Sequence, residues 1–543
     1  MSSLPPIAAR AALLLLLAAS LVFPGGCSRD RSNTQELSQD IKAIFGKEAY
    51  RNATWGLRVV DLDTGAVIQD VEPERQFLIA SVRKLFSVGA LLNQIGPAHT
   101  FVTPVHRQGT LNGGVLNGDL ILVASGDLTM GGRKNADGTF AIKAFDHGEA
   151  NALENAELTT PDPLAGYAEL ARQVAASGIT RVSGDVVIDD RLFVPFRFRN
   201  EFNASAIFVN DDVVDVIIDR TSPAAAYSVD WRPKSAAFAV ASTLQTTPAG
   251  TDDEIHLDPE LPPCIGAPGC VGTVSGQLPV DFVPPVTGAF PLIRTFRIVE
   301  PANYARTVFI EALRNAGVAV DASTVAANPA AKLPAKGSYT SATRVAQLVS
   351  FPYSDDAKLI LKVSYNLGAD ASLVLFGLAR GVDNMAASLG IERQALTAEF
   401  GIGANDFSFV DGSGGGQTRA TNRAVTTFLE GMSRRGSFTA FRDALPILGV
   451  DGSLVSTNEF ERDPSLAGAK GKVFAKTGTF VEGTATGPVF RAKSLAGYIT
   501  AKSGRRLAFT LAVNEVGPIT SLAPIFTTVQ DIGTIAAILW RDH

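Results

Sequence analysis

The chain has 543 residues, of which 46% are hydrophobic and 19% charged. That balance is too apolar for a disordered polymer, and the length suits about two to four folded domains. With 48 Lys plus Arg against 54 Asp plus Glu, a net charge of -6 and no basic block, nucleic-acid binding through phosphate neutralisation is not expected. The five histidines (His99, His106, His147, His256 and His543) are scattered without an HExxH pairing. A zinc hydrolase has little to be built from, and a mechanism without metal or cofactor is expected.

Residues 1–27 combine Arg10, an apolar run from Ala11 to Phe23 and then Pro24-Gly25-Gly26-Cys27, the layout of an export signal. The run is shorter than the roughly 20 residues a membrane-spanning helix needs. Cys27 after small residues resembles a bacterial lipoprotein processing site, with Pro24 where that pattern usually has Leu. Ordinary signal cleavage is the alternative to lipidation. Either way the protein is expected to be exported, and any membrane attachment would run through the lipid on Cys27. In an oxidising compartment Cys264 and Cys270, in the loop PPCIGAPGC, are expected to close a disulfide; two free thiols are the alternative.

An amphipathic helix is expected near Glu36 to Phe45. The stretch TWGLRVVDLDTGAVIQDV alternates around Asp63-Thr64-Gly65 and predicts a β-hairpin. Ile79, Val82, Leu85, Phe86, Leu91, Leu92 and Ile95 then recur at helical spacing until Gly96-Pro97, predicting a mostly buried helix. From about 100 to 340, short strand-like runs (LILVASGDL, RVSGDVVIDD, VVDVII, AAFAVAS) alternate with Gly, Pro and Asp, and helices are expected near Gly166 to Ser177 and Ala302 to Ala316. Helical periodicity returns at Val345 to Leu378 and Arg423 to Arg434. Three strands follow (GKVFAKTGTF, SLAGYITAKSG, RRLAFTLAVNEV), and a last helix runs from about Ala523 to Trp540.

Ser81-Val82-Arg83-Lys84 places a hydroxyl and an amine three residues apart, on one face of the opening turn of the apolar helix. A Lys whose charged form is disfavoured by burial and by neighbouring cations can act as general base and activate the Ser. The helix N-terminus adds a backbone N–H for a developing oxyanion. Alone the motif is weak. It is joined downstream by Ser364-Tyr365-Asn366 and by Lys476-Thr477-Gly478, in that order. SxxK, SxN and KTG resemble the three signatures of the serine penicillin-recognising enzymes.

The 283 positions from Ser81 to Ser364 leave room for whole domains between the first two motifs. That layout resembles the class C, type 4 penicillin-binding proteins, the DacB-like D-alanyl-D-alanine carboxypeptidase/endopeptidase family (peptidase S13). The blocks IASVRKLFSVGALL, SGDLTMGG, VSGDVVIDDRLF, VSYNLGAD, FVDGSGGG, LPILGVDGSL and AKTGTF are similar to that family's, in its order. Three departures are Tyr365 inside SxN, where a small polar residue is common, a different segment FPYSDDAKLI before that motif, and Leu128 in place of Pro.

The resemblance implies an α/β (α+β) fold: a transpeptidase/β-lactamase-like domain with an antiparallel sheet flanked by helices, interrupted by large strand-rich insertions. Residues 35–105 and 340–543 would form the discontinuous catalytic domain and 106–339 the accessory part, read as two domains. It also implies a periplasmic peptidoglycan (muropeptide) substrate and β-lactam antibiotics as covalent inhibitors. Ser81 is then the nucleophile and Lys84 its base. Ser364 relays a proton between Lys84, Lys476 and the leaving amine, and Asn366 bonds a substrate amide or Lys84. Lys476 supplies positive charge and Thr477 a hydroxyl for a substrate carboxylate, while Gly478 clears room for the substrate backbone. The N–H groups of Ser81 and Thr479 form the oxyanion hole. On spacing alone, Asp127, Asp411-Gly412-Ser413-Gly414 and Asp451-Gly452-Ser453 are turn signals; the resemblance places the second near the rim of the site. The alternatives are a β-lactamase- or esterase-type hydrolase and a non-catalytic peptidoglycan-binding protein. No GxSxG elbow and no GxxxxGK[ST] loop is present.

Overall fold

The computed structural model describes residues 35–222 and 225–543; the expected signal segment and Cys27 lie outside the described residues. The two ends of the chain build one antiparallel sheet, in the order Val67–Val71, Thr54–Asp61, Arg506–Pro518, Gly487–Thr500 and Val473–Thr484. Its first two strands are the expected hairpin around Asp63-Thr64-Gly65. Side chains alternate between faces along each strand, so each strand feeds two cores. Leu57, Val59, Val473, Leu495 and Leu511 pack with Ile532, Ile535 and Leu539 of the terminal helix Ala523–Asp542. That helix is long and apolar enough to cross a membrane, yet 61% of its most apolar window is buried inside the fold. Ala496, Tyr498, Ala508 and Ala512 face the other way, toward Leu85, Phe86, Val88 and Phe428.

The helix Lys84–Ile95 is buried from Lys84 to Leu92 and sits inside this second core against the helix Asn366–Leu378. A second sheet branches off where the chain leaves that helix. Its strand Thr100–Asn112 pairs with Val115–Val123 on one side and with the returning strand Arg344–Pro352 on the other, so the sheet reaches past residues 105 and 340. Farther out are a three-stranded sheet (Ser228–Arg232, Val213–Asp219, Leu292–Arg297) and a four-stranded one around Val271–Pro279. Cys264 and Cys270 are joined by a disulfide at the entry to that last strand, with a Cα–Cα distance of 5.4 Å.

The expected helices are found at Gln39–Phe45, Ala165–Ala176, Pro301–Asn315 and Asn422–Ser433. The continuous periodicity expected over Val345 to Leu378 is instead a strand, Arg344–Pro352, and two helices, Tyr353–Val363 and Asn366–Leu378. The helices are broken at Ser364, which adopts left-handed backbone angles (φ 66°). Pro352 at the N-cap of the first helix fixes where helix can begin, and the β-branched residues before it pair with Thr100–Asn112. The helix Met385–Phe400 carries no strong apolar stripe, and periodicity does not single it out.

Candidate active site

Ser81 lies in the 3-10 turn Ala80–Arg83 that opens into the helix starting at Lys84. The Lys84 Nζ donates to Ser81 Oγ at 2.7 Å, to Asn366 Oδ1 at 2.6 Å and to the Ser413 carbonyl at 2.9 Å. Lys84 is wholly inaccessible to solvent. Burial is the main force bringing its pKa down to about 7, reinforced by Arg199 and opposed by Glu149, Asp370 and Asp411. The amine beside Ser81 is therefore about half neutral at neutral pH.

The break between two helices places Ser364 and Asn366. Ser364 Oγ accepts from Lys476 Nζ at 2.9 Å, and Lys476 also donates to the Thr477 carbonyl at 2.8 Å. Among the described residues Ser364 hydrogen-bonds to Lys476 and not to Lys84. Burial, with Lys84 and Lys493 nearby, holds Lys476 well below the usual lysine range. The buried ring of Tyr365 packs against Gly368, where a Cβ would collide with it, and against Gly148. This explains the bulky middle residue of SxN: it fills the space under the short helix His147–Glu149.

The strand Val473–Thr484 is the edge of its sheet. Ala475 N–H bonds Pro446 O and Val473 O accepts from Leu448 N–H, both away from the neighbouring strand. Backbone direction alternates along a strand, so Thr477 and Thr479 also turn their N–H and C=O groups to this outer edge. Thr477 Oγ1 lies 2.8 Å from Ser453 Oγ. Gly478 meets a requirement that the sequence did not show. A Cβ there would collide with Ile79 O and Ser494 Oγ and stand 3.2 Å from Ser81 N, so the missing side chain makes room for the Ser81 turn. Ser494 Oγ also donates to Ile79 O at 2.7 Å, tying that turn to the sheet.

Several site residues escaped sequence reasoning. Asp411 accepts N–H bonds from Ser413, Gly414 and Gly415, forming the expected turn, but the turn is wedged against the nucleophile and hands Lys84 its third acceptor. Gly414 has φ 104°, and a Cβ on it would collide with Ala80 O. Ala80 itself has φ 46°, a left-handed conformation next to Ser81 that costs of order 1 kcal/mol and is held by these neighbours. Asp370 accepts from Gly412 N at 2.9 Å; burial, then Asp411, pushes its pKa up to about 7. Arg83 and Glu392 form a buried bidentate pair, and Arg83 Nε also donates to Asp411 O at 2.8 Å. Glu149, from the region between the first two motifs, accepts from Asn366 Nδ2 and pairs with Arg199. Proximity in space, absent from local spacing, was the missing signal.

Asp127 caps a turn through bonds from Thr129 and Met130. Asp451 pairs with Lys362 at 2.6 Å, and its neighbour Ser453 reaches Thr477. Asp146, His147 and Asp211 stand close enough together to hold a cation. Arg133 pairs with both acids there, and His147 also bonds Asp215. Although burial opposes its charge, Asp215, Asp211 and Asp146 hold the His147 pKa at about 10. The group is an internally compensated ion cluster.

Comparison with known proteins follows the same lines. The sequence profile of the D-Ala-D-Ala carboxypeptidase 3 (S13) family matches residues 37–524. The chain belongs to that family. A D-alanyl-D-alanine carboxypeptidase from Actinomadura sp. (strain R39) is 26% identical over 99% of this chain and 91% of the relative. Penicillin binding protein 4 (dacB) from Haemophilus influenzae, at 18% identity, superposes with a TM-score of 0.66 over 92% of this S13 chain and 99% of its own. The same protein complexed with a β-lactam gives 0.65 over 93% and 100%. The S13 fold, a penicillin-recognising domain with strand-rich insertions, is thus shared along nearly the whole chain.

Proposed function

We propose that this protein is a serine D-alanyl-D-alanine carboxypeptidase, with D,D-endopeptidase capacity, acting on peptidoglycan stem peptides. The observation that carries the reading is a buried, half-neutral Lys84 amine 2.7 Å from Ser81 Oγ in a chain of the S13 family. Ser81 Oγ attacks the penultimate D-alanyl carbonyl carbon and passes its proton to neutral Lys84. The oxyanion forms against the N–H groups of Ser81 and Thr479. The C–N bond breaks as the proton taken up by Lys84 passes on to the leaving amine through Ser364, which is bonded to Lys476, so that Lys84 is neutral again. Water then gives a proton to Lys84 as its oxygen bonds the acyl carbon, the bond from that carbon to Ser81 Oγ breaks, and the Lys84 proton returns to Ser81. Asn366 holds Lys84 in register, and Lys476 and Thr477 draw the carboxylate end of the substrate. Residues 35–105 and 340–543 serve as the catalytic unit and 106–339 as the accessory one. The working site is outside the cytoplasm, in the periplasm, with Cys27 as the candidate lipid attachment.

Incubation with purified peptidoglycan and mass analysis of the products tests this reading. Released D-Ala and severed cross-linked dimers are expected from wild type and not from Ser81→Ala. A fluorescent penicillin is expected to label Ser81; an unlabelled wild type that also releases no D-Ala would refute the assignment.

A further inference from the structure

Six Lys and Arg side chains are buried among the described residues: Arg83, Arg133, Arg306, Lys84, Lys476 and Lys493. The three arginines are each paired with a carboxylate, Glu392, Asp146 and Asp185 respectively. None of the three lysines forms an ion pair among the described residues. A buried cation without a counter-charge is costly, so burial lowers all three, Lys84 and Lys493 to about 7 and Lys476 well below the usual lysine range, and an approaching anion restores the ammonium form. Lys84 and Lys476 belong to the reacting centre. Lys493 has no place in that chemistry.

Lys493 sits on the strand Gly487–Thr500 directly opposite Thr479, so the two side chains share one face of the sheet, as does Thr477. Only 4% of Lys493 is exposed, and its Nζ donates to Thr479 Oγ1 at 2.6 Å. A threonine hydroxyl has one proton. When its oxygen is occupied by an ammonium donor, that proton must go to another acceptor. Thr479 is exposed at the open edge of the sheet, while the Thr477 hydroxyl is already engaged with Ser453. The charge of Lys493 is also felt at Lys476, one residue from Thr477 and three from Thr479 on the same strand. With Lys493 in its ammonium form, the pair presents a hydroxyl donor backed by positive charge on the edge strand that carries Lys476 and Thr477.

We infer that Lys493, acting through the Thr479 hydroxyl, is a specificity-determining positioning residue that selects leaving groups bearing a carboxylate. This rests on the carboxypeptidase reading and deepens it, because a C-terminal D-Ala carries that carboxylate next to the bond that breaks. A substrate whose leaving group is neutral at this point forgoes the interaction.

The test uses two N-benzoyl-D-alanyl thioesters, one of mercaptoacetate and one of its methyl ester, which differ only in the carboxylate. The ratio of their kcat/KM values is the readout. Lys493→Met is expected to lower the carboxylate-to-ester ratio at least tenfold, chiefly through KM of the acid, and Lys493→Arg to retain most of it. Thr479→Val is expected to lower the ratio to the same extent, with the double variant falling no further. A ratio within twofold of wild type in K493M, whether or not both rates drop, would show a purely structural lysine and overturn the inference. If K493M fails to fold in a thermal melt, T479V decides alone: an unchanged ratio overturns the inference. Wild type that turns over neither thioester and takes no penicillin label would overturn the carboxypeptidase reading itself, an outcome distinct from a flat ratio in an active enzyme.

Discussion

The pH dependence of acylation tests the electrostatics of Lys84 directly. With its pKa at about 7, the neutral, base-competent fraction is about 1% at pH 5, about half at pH 7 and about 90% at pH 8. An exposed lysine would be only about 0.03% neutral at pH 7, so burying this amine multiplies the available base about a thousandfold. The second-order rate constant for fluorescent-penicillin labelling, measured from pH 5 to 9, is expected to climb about tenfold per unit below pH 6 and to level off above pH 8. The charged groups around Lys84 set the direction of further shifts. Glu149→Gln removes an anion that favours the ammonium, so the midpoint should fall; Arg199→Gln removes an opposing cation, so it should rise. Asp370, itself near 7, works in the same sense as Glu149, and Asp370→Asn should lower the midpoint and sharpen the profile to one ionisation. A rate that is flat down to pH 5, or one still climbing tenfold per unit at pH 9, would refute the claim that a desolvated Lys84 is the base.

Other perturbations follow from packing. Arg83→Met strips the counter-charge from the fully buried Glu392 and should cost about 3–5 kcal/mol in a denaturant melt, while replacing both residues by apolar ones should recover much of that loss. Gly478→Ala forces a methyl into Ile79 O and Ser494 Oγ; a penalty of about 1–3 kcal/mol and a collapse of penicillin labelling are expected, because the Ser81 turn must move. Ser81→Ala should abolish labelling while leaving the melt close to wild type, since this side chain is only partly buried.

Much of this protein was legible from local pattern. The hairpin at Asp63-Thr64-Gly65, the buried helix after Ser81 and the three polar motifs are short-range features, and turn chemistry, helical spacing and hydroxyl–amine pairing are written in consecutive residues. Tyr353–Val363 and Asn366–Leu378 were less legible as separate helices, because both are apolar and the interruption is a single left-handed Ser364. Tertiary structure alone decided which of many polar residues meet. Asp370, Glu149, Ser453 and Lys493 lie on four separate segments, and nothing in their own neighbourhoods distinguishes them from ordinary turn, helix or strand residues. The same holds for Gly478, whose necessity is set by Ile79 and Ser494 from elsewhere in the chain. The physical reason is range: propensity and periodicity act over a few residues, whereas desolvation and charge coupling, which make Lys84 a base and leave Lys493 without a counter-ion, depend on segments that only folding brings together.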